Sequence, residues 1–275
     1  MHTYSPLRAR SARFYLAASV LLLALTGVTR AALLTDDFSD ANWEARWETH
    51  DDGVAEPSNW VMGPAGGLPD GSFGNTVNTL NGPGPGGSDE QAGSYALTLK
   101  AGAGNWTDYS ASCEMFHMDN DYAGLFVRYV DELNYIRVWS KQEEADVGGE
   151  TTYSIDKQID GAWTMFHKTG GPGVGGDGIS GTAVPAGVDA IQQQDWFSMT
   201  AEVVGDTVTM YLNGDLVDSV QDADFAPGGA LEKGSFALYN CTNPMAYDNV
   251  EVGSLSVEAR GKVAVAWAGL KGSAR

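Results

Sequence analysis

The stretch Asp119–Gln142, DNDYAGLFVRYVDELNYIRVWSKQ, restricts the chain's options more than any other. Tyr122–Val130 and Leu133–Ser140 are two apolar runs rich in β-branched and aromatic residues, and only the polar step Asp131-Glu132 separates them. Two such runs joined by a short polar step predict antiparallel strands in a hairpin. Side chains alternate between the faces of a strand, so Tyr135, Arg137 and Trp139 share one face of the return strand and Ile136 and Val138 the other. On the first strand Gly124, Phe126 and Arg128 are expected to share a face in the same way. Acidic residues Asp119, Asn120-linked Asp121 and their neighbours crowd the entrance of the hairpin.

The rest of the chain repeats the strand signal. Leu33–Ser39, Tyr95–Lys100, Asp108–Met118, Thr151–Ile159 and Trp163–Lys168 read as strands, as do Trp196–Val204 and Thr207–Leu212. Asn213-Gly214 is a strong two-residue hairpin turn, and Leu216–Val220 returns from it. Ser235–Asn240 and Ala246–Val252 are expected to close the fold. The tryptophans at 43, 47 and 60 fall in an irregular polar stretch and are expected to plug a core or an edge. Residues 63–94 and 170–189 are glycine-rich loops, the first holding Gly-Pro-Gly-Pro-Gly-Gly at 82–87. Neither has the strand–GxxxxGK–helix setting of a phosphate cradle. Twelve to fourteen short strands without a convincing helix imply an all-β fold of two packed antiparallel sheets.

The ends differ from this pattern. Arg8, Arg10 and Arg13 precede an apolar run, Phe14–Leu25, too short for the ~20 residues of a membrane span. Small residues follow, so residues 1–32 read as a secretory signal peptide cleaved near Ala31 or Ala32. That leaves one domain over 33–257 of a secreted protein, extracellular or periplasmic, with no membrane span. A tail at 258–275 changes character and carries Arg260, Lys262, Lys271 and Arg275. With the leader's four arginines removed, 12 basic residues face 36 acidic ones. Such a polyanion is expected to avoid nucleic acid, whose binding depends on Lys and Arg. Outside the cell, Cys113 and Cys241 are expected to form one disulfide rather than a catalytic pair. Asn105-Trp-Thr and Asn240-Cys-Thr are glycosylation sequons.

Residues 106–142, WTDYSASCEMFHMDNDYAGLFVRYVDELNYIRVWSKQ, resemble the central segment of the thrombospondin C-terminal domain. There too an acidic cluster precedes Tyr-Ala-Gly, and an aromatic strand ends in Trp-Lys-Gln. WFSMTAEVVGDTVTMYLNGDLV, GSFALYN and AYDNVEV follow in the order shared by the wider concanavalin A-like superfamily, laminin-G-like and glucanase-type folds included. The resemblance runs from about Asp36 to Val252 and implies a jelly-roll sandwich, bound calcium, and a carbohydrate or extracellular protein as ligand. No run of Asp-rich calcium repeats precedes the domain, unlike the thrombospondin arrangement.

Three kinds of chemistry follow. Calcium takes 6–8 oxygen ligands, and two alternative sets could supply them: Asp119, Asn120 and Asp121, or Asp36 or Asp37 with Asp248 and nearby Asn249. A sugar face would consist of Arg128, Tyr135, Arg137 and Trp139, which offer flat rings and fork-shaped donors. The alternative for that row is packing, with Arg137 partnered by an acid. Catalysis is the weakest reading: Glu144, Asp146 and Glu150 have the longer spacing of laminarinase-type jelly rolls, but Gly148-Gly149 replaces apolar strand residues there. No nucleophile elbow is present, and of His50, His117 and His167 only His117 adjoins the acidic cluster. The sequence therefore favours a non-catalytic binding module, with a sugar-active enzyme or a structural surface module as alternatives.

Overall fold

A computed structural model describes residues 31–52, 56–77, 93–119, 122–142, 151–166, 182–183, 188, 191, 194–241 and 244–255. Residues 1–30 of the expected signal peptide, residues 256–275 with the basic tail, Asn120, Asp121, His167, and Glu144, Asp146 and Glu150 lie outside these described residues. Among them, no helix is long and apolar enough to cross a membrane.

Among the described residues, sixteen strands form two antiparallel sheets, the jelly-roll sandwich that the strand pattern predicts. The first sheet runs β14 (Asp215–Gln221), β13 (Thr207–Leu212), β12 (Trp196–Val204), β6 (Tyr109–His117), β16 (Met245–Ser254), β4 (Phe73–Asn75) and β3 (Trp60–Met62). β1 (Ala32–Asp36) pairs with β16 as well. The second sheet runs β10 (Ala162–Met165), β9 (Thr151–Ile159), β8 (Asn134–Gln142), β7 (Tyr122–Asp131), β15 (Ser235–Cys241), β5 (Gly93–Thr98) and β2 (Trp47–Asp52). A two-residue β11 (Thr182–Ala183) sits against β9. The opening hairpin is thus β7–β8, and it lies in the middle of its sheet.

Alternation puts one face of each sheet into a shared core. Leu125, Val127, Ile136, Val138, Ile155 and Leu238 meet Ala111, Met115, Met199, Val203, Met210 and Val252, all fully or almost fully buried. Burying apolar area at roughly 25 cal/mol per Å² is the main force that closes the sandwich. At one end Phe73 is ringed by Phe38, Trp43 and Trp60 with centroids 5.0, 4.9 and 5.3 Å away. Trp47 lies 6.5 Å from it, so the three tryptophans of the polar stretch are core packing. Two of them also reveal strands that composition hides. β2 reads WETHDD because it is the last strand of its sheet, where outward positions are free to be charged. β3 and β4 are three residues each, too short for a periodic signal.

The disulfide expected between Cys113 and Cys241 is not present; the two buried cysteines are not bridged to each other. Cys113 faces the inter-sheet core from the first sheet, whereas Cys241 points from the second sheet to its opposite face. Side chains directed to different layers cannot meet the short Cβ–Cβ separation of a bridge. Burial pushes the Cys113 thiol pKa up, which keeps it protonated. Of the sequons, Asn105 is exposed, while Asn240 is fully buried and accepts from the Asn75 amide at 3.0 Å.

Candidate functional site

The second sheet has a second layer of packed aromatics, on the face turned away from the core. Tyr95, Tyr122, Phe126, Tyr129, Tyr135, Trp139 and Tyr239 form it, with Leu97 and Met165 at its margin. The registers align these residues in rows across the strands. One row runs Met165, Asp156, Arg137, Phe126, Ala237, Leu97, Glu48. The next runs Ser154, Trp139, Gly124, Tyr239, Tyr95, His50. Gly124 is required where it stands, because a Cβ would fall 2.0 Å from the Val138 carbonyl oxygen. Its missing side chain separates Trp139 from Tyr239 on this floor.

The row Tyr135, Arg137 and Trp139 occupies one face as alternation requires, but its polar groups are turned inward. The Arg137 guanidinium donates to both oxygens of Asp156, at 3.0 Å to Oδ1 and 3.2 and 3.1 Å to Oδ2. Trp139 Nε1 donates to Asp156 Oδ2 at 2.8 Å, and Arg137 Nη1 donates to the Tyr239 hydroxyl at 3.1 Å. The Tyr135 hydroxyl donates to Gln158 Oε1 at 2.7 Å. Burial raises the pKa of Asp156, and the Arg137 charge and the indole N–H pull it back. Burial likewise opposes the charge on Arg137, but Asp156 and the flanking tyrosine hydroxyls more than offset that, and its pKa rises. The pair is a buried ion pair with its hydrogen bonds satisfied, which is costly to break from one side.

Arg128 is not part of this row. The register slips between Val127 and Asp131, and Arg128 adopts φ +48°. This β-bulge re-aims one residue, as bulges do. Arg128 turns to the other side of its strand, where it donates to the carbonyls of Thr107, Gly205, Phe225 and Leu231. Asp108 lies 3.6 Å from it. Gly234 backs the bulge so closely that a Cβ there would meet the Arg128 carbonyl carbon at 2.3 Å. Arg128 therefore ties three loops to the sheet. The same slip delivers Tyr129 to the aromatic face, a placement that strict alternation misses.

Tyr129 joins a group that the sequence reading passed over. Its hydroxyl and that of Tyr95 are 2.7 Å apart, and the ring of His50 stacks on Tyr95 at 4.9 Å and 11°. Phe126 meets both tyrosines, at 5.4 Å edge-on to Tyr95 and 5.8 Å stacked on Tyr129. Burial raises the pKa of both tyrosines, with Asp52 and Glu132 adding to it, so both stay protonated donors. His50 is a third exposed, and its Nε2 stands 3.7 Å from the exposed Glu48 carboxylate. The available signal was the alternation in β2, which places Glu48, His50 and Asp52 together once that strand is recognised.

The second expected calcium set is brought together, since β1 lies beside β16 with Asp36 opposite Val250. Asp36, Asp37, Asp40, Asn249 and Glu251 line a cleft of about 390 Å³. A guanidinium already takes the place of a metal there. Arg46 donates to Asp36 Oδ2 at 2.6 Å and to Asp40 at 2.8 Å, while Trp47 Nε1 and the Phe38 N–H also donate to Asp36. With both oxygens of Asp36 engaged, calcium at this set would have to displace Arg46. Asp248 is held by the Asn249 N–H, and burial and then the neighbouring acids raise its pKa. Of the first set only Asp119 is described, half-buried at the mouth of the hairpin. Among the described residues no three metal-ligating side chains gather.

The fold and this aromatic face define a jelly-roll domain with a second, buried layer of rings on the side of one sheet opposite the inter-sheet core. The model for the 3-keto-alpha-glucoside-1,2-lyase-like domain matches residues 34–253, and the chain belongs to that family. Solved structures are similar at lower identity. The carbohydrate-binding module CBM66 from Bacillus subtilis is 15% identical over 76% of this chain and 95% of its own, with a TM-score of 0.47. A GH43 protein from Bacillus licheniformis is 12% identical over 80% of this chain and 39% of its own, at 0.49. The Bacillus licheniformis β-glucanase is 11% identical over 83% of this chain and all of its own, at 0.44. No curated protein matches the chain. The thrombospondin and laminin-G resemblance gains no support from these comparisons.

Proposed function

We propose that the domain recognises a carbohydrate on the outer face of the second sheet, and that its ligand is an α-glucoside oxidised at C3, the class named by its family. The observation that carries this reading is the family match over residues 34–253, and the aromatic layer on the outer side of the second sheet, buried as it stands at 0–7% exposure, is the ring-rich element nearest to what a sugar would need. Sugars present apolar C–H faces and hydroxyl edges, and rings with polar tips suit both. Binding is the primary reading because the central charges, Arg137 and Asp156, are committed to each other.

Cleavage is a second reading, favoured by the family match. A ketone at C3 acidifies the C2–H. Removing that proton and expelling the C1 oxygen, which leaves as an alcohol once protonated, would give a C1=C2 bond conjugated with the C3 carbonyl. Calorimetric titration of the full chain with methyl 3-keto-α-glucoside and methyl α-glucoside tests binding; heats equal to those of dilution for both would sink the proposal. Near-ultraviolet absorbance of the conjugated enone in the same mixtures separates cleavage from binding. Export belongs to the same proposal, and N-terminal sequencing of protein recovered outside the cytoplasm checks it. Within it, calcium is assigned to the acidic mouth at Asp119, since Asp36 is spent on Arg46.

A further inference from the structure

The two sheets differ on the sides that face away from the core. The outer side of the second sheet is buried, whereas that of the first alternates into half-buried and exposed positions. On the first sheet the registers again align side chains in rows. One row runs Trp196, Phe116, Ala246, Gly74 and Val61. Trp196 is 36% exposed, and its ring meets that of the half-buried Phe116 at 5.4 Å. Beside this ring pair, Ala246 and Gly74 leave a low floor. The next row brings Glu114 opposite Asp248, and the row after that brings Glu251 opposite Ser112.

Charge on this face is all of one sign, because these rows contain no lysine or arginine. Asn249, at φ +49° in the bulge of β16, donates its side chain to Glu114 Oε2 at 2.8 Å and its N–H to Asp248 Oδ1 at 2.7 Å. An amide supplies hydrogen bonds but no countercharge, and like charges directly opposite across two strands are destabilising. Burial first, and then Glu114, Asp37 and Asp36, raise the pKa of Asp248. Cations elsewhere are already engaged, Arg46 with Asp36 and Asp40, Arg137 with Asp156, and Lys157 with Asp222 and Asp224. Residues 259–275 have the opposite character: Arg260, Lys262, Lys271 and Arg275, no acid, and the apolar Val263, Val265 and Trp267. They follow β16 of the same sheet, beyond Leu255, whose N–H donates to the Asp108 carbonyl at 2.9 Å. From Ser254 back to Ala246 along β16 is about 27 Å. The segment 256–275 can span about 65 Å when extended, so it reaches the ring pair with length to spare.

We propose that the segment 259–275 docks on the outer face of the first sheet, its cations against Glu114, Asp248 and Glu251 and its apolar residues against the Trp196–Phe116 rings. The proposal is independent of the carbohydrate reading, which concerns the other sheet. Complementary charge selects this face over the cleft along β1, where Arg46 and Lys100 would meet the segment with like charge. Val263, Val265 and Trp267 cover exposed ring surface, and a lysine or arginine over the Trp196 ring adds cation–π attraction. Covalent attachment makes the docking intramolecular, so a contact that would be weak between separate molecules is enough to hold it.

Trypsin digestion of the full chain tests this, since Arg260, Lys262 and Lys271 are cleavage sites within the segment. Cleavage there is expected to be at least about tenfold slower than in a free peptide of residues 256–275, as for a segment docked most of the time. At about 1 M NaCl, where the Debye length is ~3 Å, the protection should largely disappear, with the peptide correcting for any effect of salt on the protease. The combined variant Glu114→Gln, Asp248→Asn and Glu251→Gln should lose most of it, Trp196→Ala part of it, and Glu48→Gln, on the other sheet, none. Melting temperatures confirm that each variant is folded. Carbodiimide coupling of wild type gives a second readout that needs no variant. It joins a lysine amine to a touching carboxylate as an amide, the carbodiimide taking up the water. Peptide mapping should find Lys262 or Lys271 joined to Glu114, Asp248 or Glu251 within one copy of the chain. A segment cut as fast as the free peptide overturns the proposal. Protection that survives every change on the face overturns it too, as does coupling found only between copies.

Discussion

The two halves of the outer face of the second sheet are built from similar materials and held together differently. Around β8 and β9, Arg137 and Trp139 saturate both oxygens of Asp156, so a charged pair anchors the rings. Around β5 and β2, His50 stacks on Tyr95, Tyr95 packs on Tyr129, and the two hydroxyls bond each other. Burial does not distinguish the halves, since Tyr95 is 1% and Trp139 2% exposed; charge does. A buried polar network whose groups are paired rigidifies its surroundings, and one that holds an ion pair is the more costly to disturb.

The sharpest way to break this comparison is to remove one member of the saturated half. Arg137→Met leaves the fully buried Asp156 without its counter-charge, and a buried pair broken from one side costs about 3–5 kcal/mol. Adding Asp156→Leu should recover most of that loss, because the double change replaces a pair by apolar contact. Urea unfolding of the two single variants and the double variant measures it; a double variant as unstable as the singles would mean that Asp156 is not paying the cost. Arg128 supplies the next effect. Losing donors to four carbonyls on three loops is expected to cost about 3 kcal/mol in Arg128→Met, at roughly 1.5–3 kcal/mol for a hydrogen bond to a charged group. That variant should also keep its sugar affinity, since Arg128 faces away from the rings. By contrast, His50→Ala and Tyr129→Phe are expected to change stability by less than about 1 kcal/mol.

A pH-dependent effect comes from His117, whose ring is stacked as that of His50 is. His117 is fully buried, stacks on Phe197 at 5.3 Å, and burial lowers its pKa to about 3. The folded protein therefore leaves His117 neutral between its ordinary value of 6.5 and about 3, while the unfolded chain takes up the proton. Stability falls as pH is lowered through that window, by about 1.4 kcal/mol per pH unit from this group. Comparing the pH dependence of unfolding in wild type and His117→Gln isolates the contribution from that of the carboxylates. Equal slopes below pH 6 would show that His117 titrates in the folded state.

Much of this architecture is legible in the chain itself. The hairpin is marked by its two apolar runs, β12 and β13 carry clear alternation, and the Tyr135–Arg137–Trp139 row follows from a period of two. What alternation cannot see is a bulge, and the slip at Arg128 exchanges one residue for its neighbour on the face. Nor can it see an edge strand whose outward positions are charged. β2 is hidden for that reason, and with it His50. The cysteines mislead because their number suggests a bridge, while their layers, set by the phase of β6 and β15, forbid it. Acidic residues are equally mute about their partners: Asp156 lies in an ordinary strand segment, and only the register shows it beneath Arg137.

Asp36 gives the gentlest test of the idea that spent groups do not bind ligands. Sequence places it in a calcium pair with Asp248, and the fold does bring β1 beside β16. Its oxygens, however, accept from Arg46, Trp47 and the Phe38 N–H. If engaged carboxylates are closed to ligands, Asp36→Asn should lower the melting temperature through the lost ion pair and leave the response to calcium untouched. The quantity to measure is the difference between melting temperatures with calcium and with EDTA, because a ligand bound only by the folded state must raise it. That difference should be the same in wild type and Asp36→Asn and should shrink in Asp119→Asn. A calcium response lost in Asp36→Asn alone would mean that Arg46 yields its place to the metal, and a saturated carboxylate could then not be discounted as a ligand.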